Sequence, residues 1–289
     1  MTPPPDRVVT VDWSGASTPR QGVDSIWVCT HDGSHTTLAN PSTRREAEAL
    51  LAGLCEQPGR TLVAADVALA YPAGTARAAG LCDDRGAAAW NAICEHLEAE
   101  LHDDDRNRNN RWSVATALNQ RLGAPQFWGA PAARCGPWLT ARRPTEPPLP
   151  WFRHSETALR ALGMRPASPW QLLGVGSVGS QALTFIPVAQ RLRAALPGRV
   201  VVWPMETGTG ADPWNGARNR TVIAETWTTL APAAEVDAVD HPVRDARQVV
   251  ALARFLTRQL HDGLPMFDPP GAAAHRDVLD EEGWVLGLL

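Results

Sequence analysis

The sequence predicts an α/β fold, and three observations carry that prediction. Two apolar, β-branched runs, residues 7–12 and 61–66, each end in an aspartate (Asp12, Asp66) and then break at once into a turn. A buried strand that delivers a carboxylate to its C-terminal rim is written this way. Further strand-like runs at 199–203 and 221–227 alternate with stretches of helical periodicity at 44–56, 86–102, 181–196 and 243–260. Finally, 289 residues with a 44% hydrophobic and 20% charged composition are enough to bury a full core without staples. If the two aspartate strands are parallel neighbours, their ~4.8 Å spacing brings Asp12 and Asp66 within reach of one divalent cation.

The elements follow in order. After the first strand, segments 22–30 and 34–38 flank an Asp32-Gly33 turn, so the first forty or so residues read as a three-stranded antiparallel meander. Ser42 or Thr43 caps a helix over 44–56, with Glu46 placed as in a capping box and Pro58-Gly59 as its stop. The Asp66 strand comes next, then an amphipathic helix over 86–102 with Ala88, Ile93, Leu97 and Leu101 at helical spacing. Residues 103–153 differ in kind: Trp112, Trp128, Trp138 and Trp151 stand among prolines, glycines and Arg134, Arg142, Arg143 and Arg153. A disordered linker lacks so much tryptophan, so an ordered insertion or lid over the site is expected within a single domain spanning 1–289. A helix over 181–196, strands over 199–203 and 221–227, and a long helix over 243–260 with Asp245 in its first turn complete the chain.

Composition excludes several classes. No apolar run approaches the ~20 residues of a membrane span, and the N-terminus lacks a signal peptide's basic and apolar regions, which places the chain in the cytoplasm with no membrane partner. Five cysteines without C-x-x-C spacing argue for buried, reduced thiols rather than a disulfide framework or a thiolate zinc site. Every basic residue apart from histidine is arginine; without lysine there is no P-loop, Schiff-base or other lysine catalysis. A net charge of −4 attracts no polyanion globally, so nucleic acid binding would need a local arginine patch.

Asp12, Asp66, Glu206, Glu225 and Asp245 form a series of acids along this alternation. With the surrounding residues (Val11 to Gly15, Ala65-Asp66, Gly174 to Ser180, Trp203 to Thr207, Ala224-Glu225 and Val243 to Ala246), the chain resembles the ribonuclease H-like superfamily, and within it a group of predicted RNase H-like nucleases. The resemblance implies a mixed five-stranded sheet flanked by helices, with the Asp12 strand central and the Asp66 strand beside it. It also implies a Mg²⁺- or Mn²⁺-dependent phosphodiester hydrolase acting on nucleic acid or a nucleotide. Carboxylates supply the hard oxygen ligands such ions need. Asp12 would bridge the ions, Asp66 and either Glu206 or Glu225 would hold one, and Asp245 the other. Ordinary structure offers rival roles: strand-end turn capping for Asp12 and Asp66, a helix-dipole partner for Asp245, a solvent-facing strand residue for Glu225.

Two loops suggest phosphate binding. Gly174, Gly176 and Gly179, with Ser177 between them, match G-x-G-x-x-G ahead of a helix, forming a nest of backbone N–H groups. Ser14 and Gly15 follow the first strand in the same manner. The glycine loop also supports the alternative of a non-catalytic or cofactor-metabolism protein that binds a phosphorylated small molecule. Arg153 and His154, at the start of a helix, are candidates for substrate contact.

Overall fold

The computed structural model describes residues 4–174 and 176–288. Strands β1 (Arg7–Asp12), β2 (Trp27–His31) and β3 (Thr36–Ala39) form the meander, closed by the Asp32-Gly33 turn with Gly33 at φ +93°. Helix α1 (Arg44–Glu56) follows, then β4 (Arg60–Asp66) and the helices α2 (Thr75–Ala78), α3 (Ala87–Glu100), α4 (Arg111–Leu122) and α5 (His154–Ala161). Helix α6 (Gly179–Ala195), strands β5 (Val200–Val202) and β6 (Arg220–Glu225), and helices α7 (Ala233–Asp237), α8 (Arg244–His261) and α9 (Pro270–Ala273) complete the order. Thr43 is the N-cap of α1: its hydroxyl accepts from the Glu46 N–H, while the Glu46 carboxylate accepts from the Ser42 N–H at 2.7 Å, so the capping box closes over both expected residues.

The sheet has six strands in the order β3-β2-β1-β4-β6-β5. The expectation of five strands is corrected, because both late β-branched runs join the same sheet, β5 as a three-residue edge strand parallel to β6. Strands β3, β2 and β1 are antiparallel; β1, β4, β6 and β5 run parallel. The two aspartate strands are thus the central pair, and their register sets Asp12 opposite Asp66.

Alternation of side chains sorts the strands onto two faces. Val9, Val11, Val63, Ala65 and Ile223 belong to one core cluster with Leu51 of α1, Leu97 of α3, Leu118 of α4 and Phe185 of α6. Val8, Leu62, Ala64, Val222 and Ala224 belong to the opposite core, with Leu252 and Leu256 of α8 and Trp214, Phe267 and Trp284. Thr10 ties the second face to α8 by donating to the Val249 carbonyl at 2.7 Å. No described helix is long and apolar enough to cross a membrane.

Residues 103–153 are woven into the first core instead of lying over it. Val114, Ala115, Leu118, Phe127, Ala130 and Leu139 all pack within that cluster. Of the cysteines, Cys29, Cys55 and Cys94 are buried as expected, whereas Cys135 is exposed.

Candidate functional site

Asp12 and Asp66 end adjacent parallel strands in register, so the pleat directs both carboxylates to the α8 face of the sheet. Asp245, in the first turn of α8, approaches from that face. Burial raises the Asp12 pKa well above the usual carboxylate range, and the charges of Asp66, Asp245 and Asp24 push it further. Burial likewise raises Asp66, although Thr228 opposes it by donating its N–H (3.1 Å) and hydroxyl (2.7 Å) to Oδ2. Asp245 Oδ2 accepts the Asp24 N–H at 2.9 Å. Among the described residues nothing hydrogen-bonds to the Asp12 carboxylate and no cation pairs with it; a crowded group of acids is left uncompensated.

The loop after Asp12 is pinned from three sides. Trp13 donates its indole N–H to Thr184 Oγ1 at 3.0 Å and packs edge-on against Phe185 of α6, 5.0 Å between centroids. A Cβ on Gly15 would stand 2.8 Å from Ser180 Cβ, so glycine is what permits the loop to touch the start of α6. The buried Arg44 donates to the Ser14 and Ala16 carbonyls at 3.1 and 2.7 Å and pairs with Asp103, while Ser14 Oγ accepts the Ala16 N–H. Sequence alone carries no signal for Arg44 and Asp103, because an arginine in a helix and an acid in a charged run look like surface residues.

The two glutamates do not join the aspartates. Glu225 stands opposite Ala65 in register, one residue before Asp66, and therefore points to the other face of the sheet. There it accepts two hydrogen bonds from Arg153, at 2.6 and 2.8 Å, within a fully buried network that includes Glu156. Burial disfavours the Arg153 charge, but Glu156 and Glu225 outweigh it and raise the Arg153 pKa. Arg153 is thus a core cation and is not available to a substrate. His154 lies beside it, with Nδ1 2.9 Å from the Glu282 carboxylate and its ring stacked on His275. Glu206 sits beyond the edge strand β5, paired with Arg193 at 2.7 Å.

The glycine loop stands at the start of α6, close to Gly15; Val175 lies outside the described residues. Two of its amides are already engaged, Ser177 N–H with the Gly174 carbonyl and Gly179 N–H with the Gln171 carbonyl. Gly174 (φ +118°) and Gly176 (φ +71°) shape it, and a Cβ on Gly179 would stand 2.7 Å from the Pro169 and Gln171 carbonyl oxygens. The residues ahead of it form no sheet strand: Gln171 makes one isolated bridge to Trp128, so the strand that a dinucleotide fingerprint requires is missing among the described residues.

As the side chains lie, no three His, Cys, Asp or Glu among the described residues form a ready-made metal cage. What the site offers is an unpartnered Asp12 and the second oxygens of Asp66 and Asp245. Carboxylate oxygens are the hard donors that Mg²⁺ and Mn²⁺ prefer, and such ions commonly take part of their shell from water and substrate phosphate. Comparison with family models, curated proteins and solved structures finds no match to this chain.

Proposed function

We propose that the chain is a ribonuclease H-like, Mg²⁺- or Mn²⁺-dependent phosphodiester hydrolase acting on nucleic acid or a nucleotide. The observation that carries this reading is the in-register pair Asp12 and Asp66 facing Asp245, with burial and mutual repulsion raising the Asp12 pKa and no cation among the described residues balancing the group. The meander joined to a parallel β4 is also the strand arrangement expected for that superfamily. Bound at these acids, a divalent cation supplies an activated water and charge neutralisation for in-line displacement at phosphorus.

The chain's own residues set the geometry. Thr228 fixes Asp66 by occupying Oδ2, which leaves Oδ1 as the free donor. The Asp24 N–H does the same for Asp245, while Asp12, whose carboxylate has no hydrogen-bond partner among the described residues, would be the third acid to hold the ion. Glu225 and Arg153 contribute from the opposite face by holding β6 in place, not by touching the reacting atoms. Substrate phosphate would complete the ligand set.

Calorimetric titration with Mn²⁺ tests the reading. Wild type should bind in the micromolar range, Asp12→Asn and Asp66→Asn should not, and Glu206→Gln should match wild type. Metal-dependent cleavage of an oligonucleotide should vanish in Asp12→Asn; unchanged cleavage in that variant overturns the proposal.

A further inference from the structure

Next to the aspartates lies a cavity of about 380 Å³ that this hydrolytic reading does not use. It opens between the 3₁₀ turn Thr228–Leu230, α7 and the start of α8, and its walls include Thr229, Asp237, Arg244, Arg247 and Gln248. Thr228 joins it to the acid site, since this residue lines the cavity and also donates twice to Asp66. On the other wall Arg244 directly precedes Asp245, and positions 244, 247 and 248 share one face of α8 by their i, i+3, i+4 spacing.

The charges here are poorly satisfied. Arg247 Nε is buried and has no hydrogen-bond partner among the described residues. Its Nη1 stands 3.5 Å from Asp237, whose side chain is 75% exposed, so that pair is weak and solvent-screened. Arg244 is exposed and makes no ion pair or hydrogen bond among the described residues. Two guanidinium groups against one carboxylate leave the wall positive. Their fixed N–H forks suit the oxygens of a phosphate, and Thr229 and Gln248 add neutral donors. An isolated anion gains little from a position beside Asp12, Asp66 and Asp245. An anion tethered to a group that reacts there gains both sites.

We propose that Arg244 and Arg247, with Thr229 and Gln248, hold a phosphate of the substrate other than the one that reacts, and that the substrate is a polynucleotide strand. The inference rests on the hydrolytic reading of Asp12 and Asp66, and its test separates the two. The probe is a fluorescein-labelled single-stranded DNA oligonucleotide, with an RNA of the same sequence alongside, and binding is followed by anisotropy in chelator. The proteins are wild type, Arg244→Gln/Arg247→Gln, Asp12→Asn, and Arg258→Gln, an arginine of the same helix paired with Glu235 outside the cavity. The double variant should bind at least one of the probes about tenfold more weakly, with a log–log salt dependence shallower by ~0.7 for the lost contact. Arg258→Gln should match wild type, and Asp12→Asn should bind at least as tightly, since an amide at this position can carry no repelling charge.

Wild type that binds neither probe, an unchanged affinity and salt slope in the double variant, or an equal loss in Arg258→Gln overturns the proposal. Cleavage is read separately in Mn²⁺. Cleavage by wild type with KM unaltered in the double variant overturns the phosphate subsite alone. Arginine-dependent binding without cleavage upholds the subsite and overturns the hydrolytic reading.

Discussion

At the scale of single residues, Asp12 is held against its own preference. Its pKa is raised in the folded chain, by burial first and by Asp66, Asp245 and Asp24 after it. Below the ordinary carboxylate range of about 4, both folded and unfolded chains keep the proton and the residue has no effect on stability. As pH rises past that range the unfolded chain releases the proton while the folded chain retains it, so stability falls until the folded pKa is passed. Asp12→Asn should therefore raise the melting temperature at neutral pH, with the gain shrinking toward zero as the pH drops below about 4. Thermal unfolding across pH measures this; a variant less stable than wild type at neutral pH would contradict it. Arg153 shows the reverse case, a buried charge with full partners. Arg153→Met should cost about 3–5 kcal/mol in urea unfolding, since it strands Glu225 and Glu156 in the core, while Mn²⁺ affinity at the folded site stays near that of wild type. A selective loss of metal binding with unaltered stability would return Arg153 to the active site.

At the scale of elements, strands and capped helices were legible in the sequence and register was not. The meander, α1, β4, α6 and α8 follow from alternation, Asp-Gly chemistry and the capping box, and they predict their observed counterparts to within a few residues, except that β2 starts at Trp27 rather than at residue 22. Asp12, Asp66 and Asp245 come together because two of them end neighbouring strands and the third starts the helix packed on that face. The position of Glu225 depends on its pairing with Ala65, a one-residue offset that no local pattern encodes. Helix α4 is hidden for a different reason: it has no side-chain N-cap, and its buried face mixes polar Arg111 and Asn119 with Val114, Ala115 and Leu118, so the apolar stripe is short. Asn119 donates to the Phe127 and Trp138 carbonyls and accepts the N–H groups of Gln126 and Phe127, satisfying all four positions of its amide in the core. Asn119→Ala should cost at least about 2 kcal/mol, because buried backbone groups lose their partners. Chemical denaturation checks this, and a cost under about 0.5 kcal/mol would mean that water replaces the amide.

At the scale of the whole molecule, the segment 103–153 determines whether the site sits under a lid or inside a single cooperative unit. Its Leu118, Phe127 and Leu139 pack in the same cluster as Val9, Val63 and Ile223 of the central strands, and Arg44 ties Asp103 to the loop that follows Asp12. Opening the segment would expose one face of the sheet and release that loop together with it. Local unfolding is inexpensive only where few apolar contacts are lost, which is not the case here. The amides of α4 should therefore exchange with solvent at nearly the same free energy as those of β1 and β4, and denaturation followed by tryptophan fluorescence and by circular dichroism should give coincident transitions. Exchange in α4 several kcal/mol easier than in the strands, or a separate early transition, would restore the lid and make release of the loop after Asp12 a matter of its opening.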